Sequence, residues 1–121
     1  DGMGIKSVMN HGFKVGFLSA GSTKSIVQQR AKTLGIDKVY VGTKPKLEVL
    51  QDWCKELEFE LEHVAYVGDD LNDLEVMDAV GFSACPADAV EAVKLKANVI
   101  LTRKGGDACV REFVDEHLLD D

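Results

Sequence analysis

Short apolar runs alternate along this chain with longer stretches in which apolar residues recur at helical spacing. Lys14 to Ser19, Lys38 to Gly42, Val64 to Gly68, Val80 to Ala84 and Asn98 to Leu101 are rich in Val, Ile, Phe and Tyr, and several close on Gly or Ser. They predict buried strands. Between them, Ile26, Val27, Ala31 and Leu34 mark one helix, Leu47, Leu50, Trp53, Cys54 and Leu57 a second, and Val90, Val93 and Leu95 another. A last helix is expected from about Asp107 to Leu119. Strands and helices in alternation with short connections predict a mostly parallel sheet covered on both faces, hence a three-layer α/β domain of Rossmann-like build. Pro45 and Pro86 fall at expected turns, and with no repeat or linker in view residues 1–121 read as a single domain.

Composition narrows the function classes. A hydrophobic fraction of 45% over 121 residues supports one shared core. No apolar run approaches the roughly 18 residues that cross a bilayer, and Asp1-Gly2-Met3-Gly4 does not resemble an export signal. A formal charge of −7 with scattered basic residues argues against a nucleic-acid partner, so an anionic substrate needs local neutralisation by a metal or a placed lysine. Cys54, Cys85 and Cys109 form no CxxC pair and read as reduced thiols of a cytoplasmic protein.

In open α/β sheets ligands bind beyond the carboxyl ends of the strands, which directs attention to three segments. After the first strand, Ser19-Ala20-Gly21-Ser22 brings small residues and free backbone N–H groups to a helix start, an arrangement suited to phosphate. Ser22 or Thr23 acting only as a helix cap accounts for the same residues. After the second strand, Lys46 opens a helix, where the helix dipole disfavours a cation, so an anion is expected beside it. The strongest signal is Gly68-Asp69-Asp70-Leu71-Asn72-Asp73, which releases three carboxylates and an amide at the end of an apolar strand. Such a cluster repels itself unless a cation joins it, and oxygen donors without His or thiolate favour magnesium over zinc. The competing reading is that Asp70, Asn72 or Asp73 merely caps the helix holding Leu74, Val76, Met77 and Ala79.

Ser19, Lys46 and the Gly68 to Asp73 run, in that order, resemble the second, third and fourth motifs of the haloacid dehalogenase superfamily. The finer likeness is to its capless phosphatases for 3-deoxy-octulosonate 8-phosphate and related nine-carbon sugar acids. It is carried by Asp1 to Ile5, Val64 to Leu71, Pro86-Ala87-Asp88-Ala89, and Gly105-Gly106 with Val110-Arg111-Glu112. The resemblance implies a magnesium-dependent phosphatase acting on a sugar-acid phosphate through an aspartyl-phosphate. In it Asp69 is the metal ligand, Ser19, Ala20, Gly21 and Lys46 contact the substrate, and Asp70 and Asp73 orient Lys46 or water on the metal. It also implies a homotetramer whose Gly105-Gly106 loop lies near a neighbouring protomer's site. Asp107-Ala108-Cys109 departs from the arginine that often follows the paired glycines.

The resemblance further implies an Asp-x-Asp nucleophile and acid/base pair on a central first strand, and nothing before Asp1 supplies it. Two half-sheets facing an unfilled gap are therefore expected, and the sequence, which starts without methionine, reads as part of a longer chain. A rival from another class is a non-catalytic assembly domain like the phosphatase-like C-terminal domain of sialic acid cytidylyltransferases. The intact Gly68-Asp69-Asp70 with Asp73 favours the enzyme. A phosphorelay receiver is excluded because Lys46 precedes the acidic pair here.

Overall fold

The computed structural model describes residues 2–20, 24–105 and 107–119. Six helices and five strands occur among them: α1 (Gly2–Asn10), β1 (Gly16–Ser19), α2 (Lys24–Leu34), β2 (Lys38–Val41), α3 (Lys46–Leu57), β3 (Ala65–Val67), α4 (Leu74–Ala79), β4 (Phe82–Cys85), α5 (Glu91–Lys96), β5 (Val99–Ile100) and α6 (Asp107–Phe113). Leu61–His63 and Leu71–Asp73 form 3-10 turns, and Val114–Leu118 continues α6 as a π-helical turn. Each strand falls within or overlaps the apolar run that predicts it.

All strand pairs are parallel, and they form two sheets: β1 with β2, and β3-β4-β5 in that order. The layers follow from the two-residue alternation of strand side chains. Phe17 packs with Ile5, Ala31 and Ile36 on the face covered by α1 and α2, while its neighbour Leu18 packs with Leu50, Cys54 and Val76 on the face covered by α3 and α4. In β4, Ala84 joins Leu101, Cys109 and Phe113 beneath α6, and Cys85 joins Met77, Ala89 and Val93 beneath α4 and α5. The result is the three-layer α/β arrangement the alternation predicts.

The helical layers span both sheets. Leu18 of β1 and Tyr66 of β3 share one cluster, and Val110 of α6 packs against the clusters of both sheets. Between β1 and β3, however, lies an apolar cavity of about 750 Å³, bordered by Phe17, Leu18 and Ser19 on one side and Ala65, Tyr66 and Val67 on the other. This is the gap expected where a central strand is wanting.

Two differences from the sequence reading are informative. Helix α1 was not anticipated, because Gly2 and Gly4 dilute a pattern whose Ile5 and Val8 are nevertheless buried. Strand β4 starts two residues later than the apolar run, since Val80 is still tied by its N–H to the Val76 carbonyl at the end of α4. Helix α3 stops at Glu58, which takes a left-handed conformation (φ 62°) while the Phe59 N–H returns to the Cys54 carbonyl at 2.9 Å.

Candidate active site

The acidic run follows β3 directly. The Gly68 N–H still bonds the Ala84 carbonyl of β4 at 3.0 Å, after which the chain turns through Asp69 and Asp70 into the 3-10 turn and α4. Glycine is required at this corner by close approach: a Cβ on residue 68 would sit 2.7 Å from the Asp73 Cβ and 2.8 Å from the Met77 sulfur. That closeness tucks Asp73 under the turn, where it is 2% exposed.

Asp73 is saturated with donors. Its Oδ1 accepts from Lys46 Nζ at 2.8 Å and from the Tyr66 hydroxyl at 2.5 Å, and its Oδ2 accepts from the backbone N–H groups of Asp69 at 2.9 Å and Asp70 at 3.2 Å. Burial by itself pushes the Asp73 carboxyl upward, but the hydrogen bonds from Lys46, Tyr66 and the Asp69 N–H outweigh it and hold the group below the usual carboxylate range. Lys46, the first residue of α3, also donates to Asn72 Oδ1 at 3.2 Å. The anion that a lysine at a helix start calls for is thus Asp73, 27 residues further along the chain.

Asp70 does something different. Its exposed carboxylate accepts from the Leu71 N–H at 2.7 Å and caps the 3-10 turn in a reciprocal box with Asp73. Of the two aspartates given a part in orienting Lys46, only Asp73 touches it. Asp69 is left facing a cleft of about 320 Å³ together with Lys46, Gly68 and Asp73, with Arg30, Pro86 and Gly105 on the other walls. The Asp69 carboxylate receives a hydrogen bond from its own backbone N–H. Loss of hydration and then the charges of Asp73 and Asp70 raise its pKa, with Lys46 and that hydrogen bond opposing them.

The three carboxylates diverge in their partners, yet the charges of Asp73 and Asp70 still bear on Asp69. No group of three or more His, Cys, Asp or Glu converges on a metal position among the described residues. The donor set fits magnesium all the same: Asp69 offers a hard oxygen ligand at an open cleft that Lys46 and Asp73 also line.

Ser19 ends β1 opposite Val41 and borders the large cavity; its carbonyl accepts from the Gly42 N–H at 3.0 Å. Ala20 follows it, exposed, and Gly21 lies outside the described residues. At the far wall, the loop before α6 is clasped by two carboxylates: Glu112 accepts from the Thr102 and Arg103 N–H groups at 2.9 Å, and Asp88 accepts from the Gly105 N–H at 2.7 Å. Sequence reasoning passed over Tyr66 and Arg30, and it gave Asn72 a place in the acidic cluster or at a helix cap without its bond to Lys46. For Tyr66 a signal existed, since a phenol in an otherwise apolar strand needs a polar partner once buried.

A family model for haloacid dehalogenase-like hydrolases matches residues 23–113. The chain belongs to that family. Within it, the 3-deoxy-D-manno-octulosonate 8-phosphate phosphatases of Yersinia pestis and Escherichia coli K12 are each 38% identical over 119 residues, 98% of this chain and 63% of theirs. Among solved structures of the family, the Moraxella catarrhalis 3-deoxy-D-manno-octulosonate 8-phosphate phosphatase, in complex with magnesium, phosphate and KDO, is 34% identical with a TM-score of 0.86, covering 93% of this chain and 64% of that one. The cobalt-bound Haemophilus influenzae phosphatase is 35% identical with a TM-score of 0.86, over 94% of this chain and 66% of that one. The chain thus spans a little under two thirds of the curated relatives it matches. No described helix is long and apolar enough to cross a membrane.

Proposed function

We propose that these residues form the cation- and phosphate-holding part of a magnesium-dependent phosphatase for a sugar-acid phosphate, either 3-deoxy-octulosonate 8-phosphate or a nine-carbon 2-keto-3-deoxy acid 9-phosphate. The observation that carries this reading is the division of labour at the end of β3: Asp69 lines the cleft without bonding Lys46, while Asp73 holds Lys46 at the same cleft. Relatives whose names specify the octulosonate phosphate, one solved with magnesium and phosphate, support the substrate class.

Each residue of this chain then has a task. Asp69 ligates the ion, which when bound supplies Lewis-acid polarisation of the phosphoryl oxygens. The Lys46 ammonium neutralises phosphate charge, and Asp73 keeps it aimed. Ser19, Ala20 and Gly21 offer the phosphoryl group a hydroxyl and backbone N–H donors. Asp70 shapes the turn that holds Asp69 in place. The nucleophile and the acid/base residue come from an Asp-x-Asp strand seated in the cavity between β1 and β3, which brings its terminal carboxylates beside Asp69. In this reading the enzyme is a homotetramer, with the Gly105-Gly106 loop near another protomer's site; a monomer by light scattering at working concentration would remove that part.

Phosphate release from a panel of sugar-acid phosphates, with and without magnesium, tests the proposal on this chain and on one extended upstream through an Asp-x-Asp strand. Magnesium-dependent turnover by the extended chain alone, reduced at least about a thousandfold by Asp69→Asn, is the expected result. A folded extended chain that turns over none of the panel would instead favour a non-catalytic assembly domain.

A further inference from the structure

We propose that Tyr66 is a positioning residue for the phosphate-binding lysine, acting through Asp73; the inference rests on the function proposed above. A carboxylate oxygen offers about two good acceptor directions. On Asp73, Oδ2 spends both on the Asp69 and Asp70 N–H groups, and Oδ1 divides its two between Lys46 and Tyr66. With the phenol in place, the lysine is confined to the one direction left, and that direction borders the cleft.

The phenol is itself well anchored. Tyr66 is the middle residue of β3, paired with Ser83, and its ring packs against both the Met77–Cys85 and the Leu50–Cys54–Val76 clusters. At 2.5 Å from a buried carboxylate it is a strong donor, and it draws charge from Oδ1 that would otherwise bind the ammonium more tightly. Tyr66 therefore does two things at once: it fixes the rotamer of Asp73, and it leaves more of the Lys46 charge for an incoming phosphate.

Phenylalanine preserves the ring packing and removes only the donor, so Tyr66→Phe isolates the effect. In the extended chain, Tyr66→Phe is expected to lower kcat/KM about three- to tenfold, the scale of one lost hydrogen bond, and to have no further effect once Lys46→Ala is present. Equal losses in the two backgrounds, or no loss in either, would overturn the proposal, because a merely structural tyrosine has no reason to act through Lys46. Should wild type fail to turn over, the phosphatase reading falls separately, and the positioning role is read from calorimetric binding of inorganic phosphate with magnesium. Weaker binding by Tyr66→Phe only when Lys46 is present supports it; identical binding by wild type and Tyr66→Phe rejects it.

Discussion

The ends of β1 and β3 stand at the same level of the fold yet are built in opposite ways. At the end of β3 donors converge: one buried carboxylate gathers an ammonium, a phenol and two backbone N–H groups. At the end of β1, Ser19 borders a cavity of about 750 Å³, and among the described residues β1 pairs only with β2. The contrast shows where preorganisation resides. The position of Lys46 is set by contacts among the described residues, whereas Ser19 stands at the border of the cavity.

The severest way to break the contrast is Asp73→Ala, which strands a mostly buried Lys46, the Tyr66 hydroxyl and two N–H groups. A stability loss of about 3–5 kcal/mol is expected in urea denaturation. The same residue sets a pH dependence. Its pKa is lowered in the folded state, so its stabilisation is complete above the ordinary carboxylate value of 3.8 and fades as pH falls through the folded value. Asp69 has the opposite sign: its raised pKa means that ionisation costs stability as pH rises past the ordinary value, a cost that magnesium offsets. Magnesium affinity by calorimetry should therefore strengthen as pH rises through the upper carboxylate range, and Asp69→Asn should abolish the trend.

Hydrogen exchange sharpens the comparison without mutation. Amides of β4, paired on both sides, should exchange at least about a hundredfold more slowly than those of β1, whose opening needs less of the core to separate. Gly68→Ala comes next, because its Cβ meets the Asp73 Cβ and the Met77 sulfur; a loss of about 1–3 kcal/mol is expected by thermal denaturation. The smallest change is favourable. Glu58→Gly relieves the left-handed conformation at the end of α3 and should add about 0.5–1 kcal/mol in the same assay.

Strand positions and the layered arrangement were readable in the sequence because apolar runs and helical spacing report burial, and burial is what both depend on. The Gly68 to Asp73 run was readable as a candidate site for a related reason: polar groups released at a strand end are seldom there for packing alone. Which carboxylate does what was not readable. Asp69, Asp70 and Asp73 share one chemistry, and only the turn, which sends one down to Lys46, one onto the Leu71 N–H and one into the cleft, tells them apart. Tyr66 and Lys46 lie 20 residues apart in sequence and meet on one oxygen. Helix α1 was hidden for a local reason, its glycines, although Ile5 and Val8 gave half of its pattern.

The two strands that border the cavity carry a practical consequence for anyone handling the protein. Among the described residues, neither is paired with another strand on the side that faces the apolar cavity, and such an edge is a template for an extended chain that meets it. At high concentration the readiest extended chain is another copy caught part-way through folding. Yield in solution should accordingly depend on how crowded the refolding mixture is, and a short soluble peptide of alternating apolar residues should act as a competitive solubiliser.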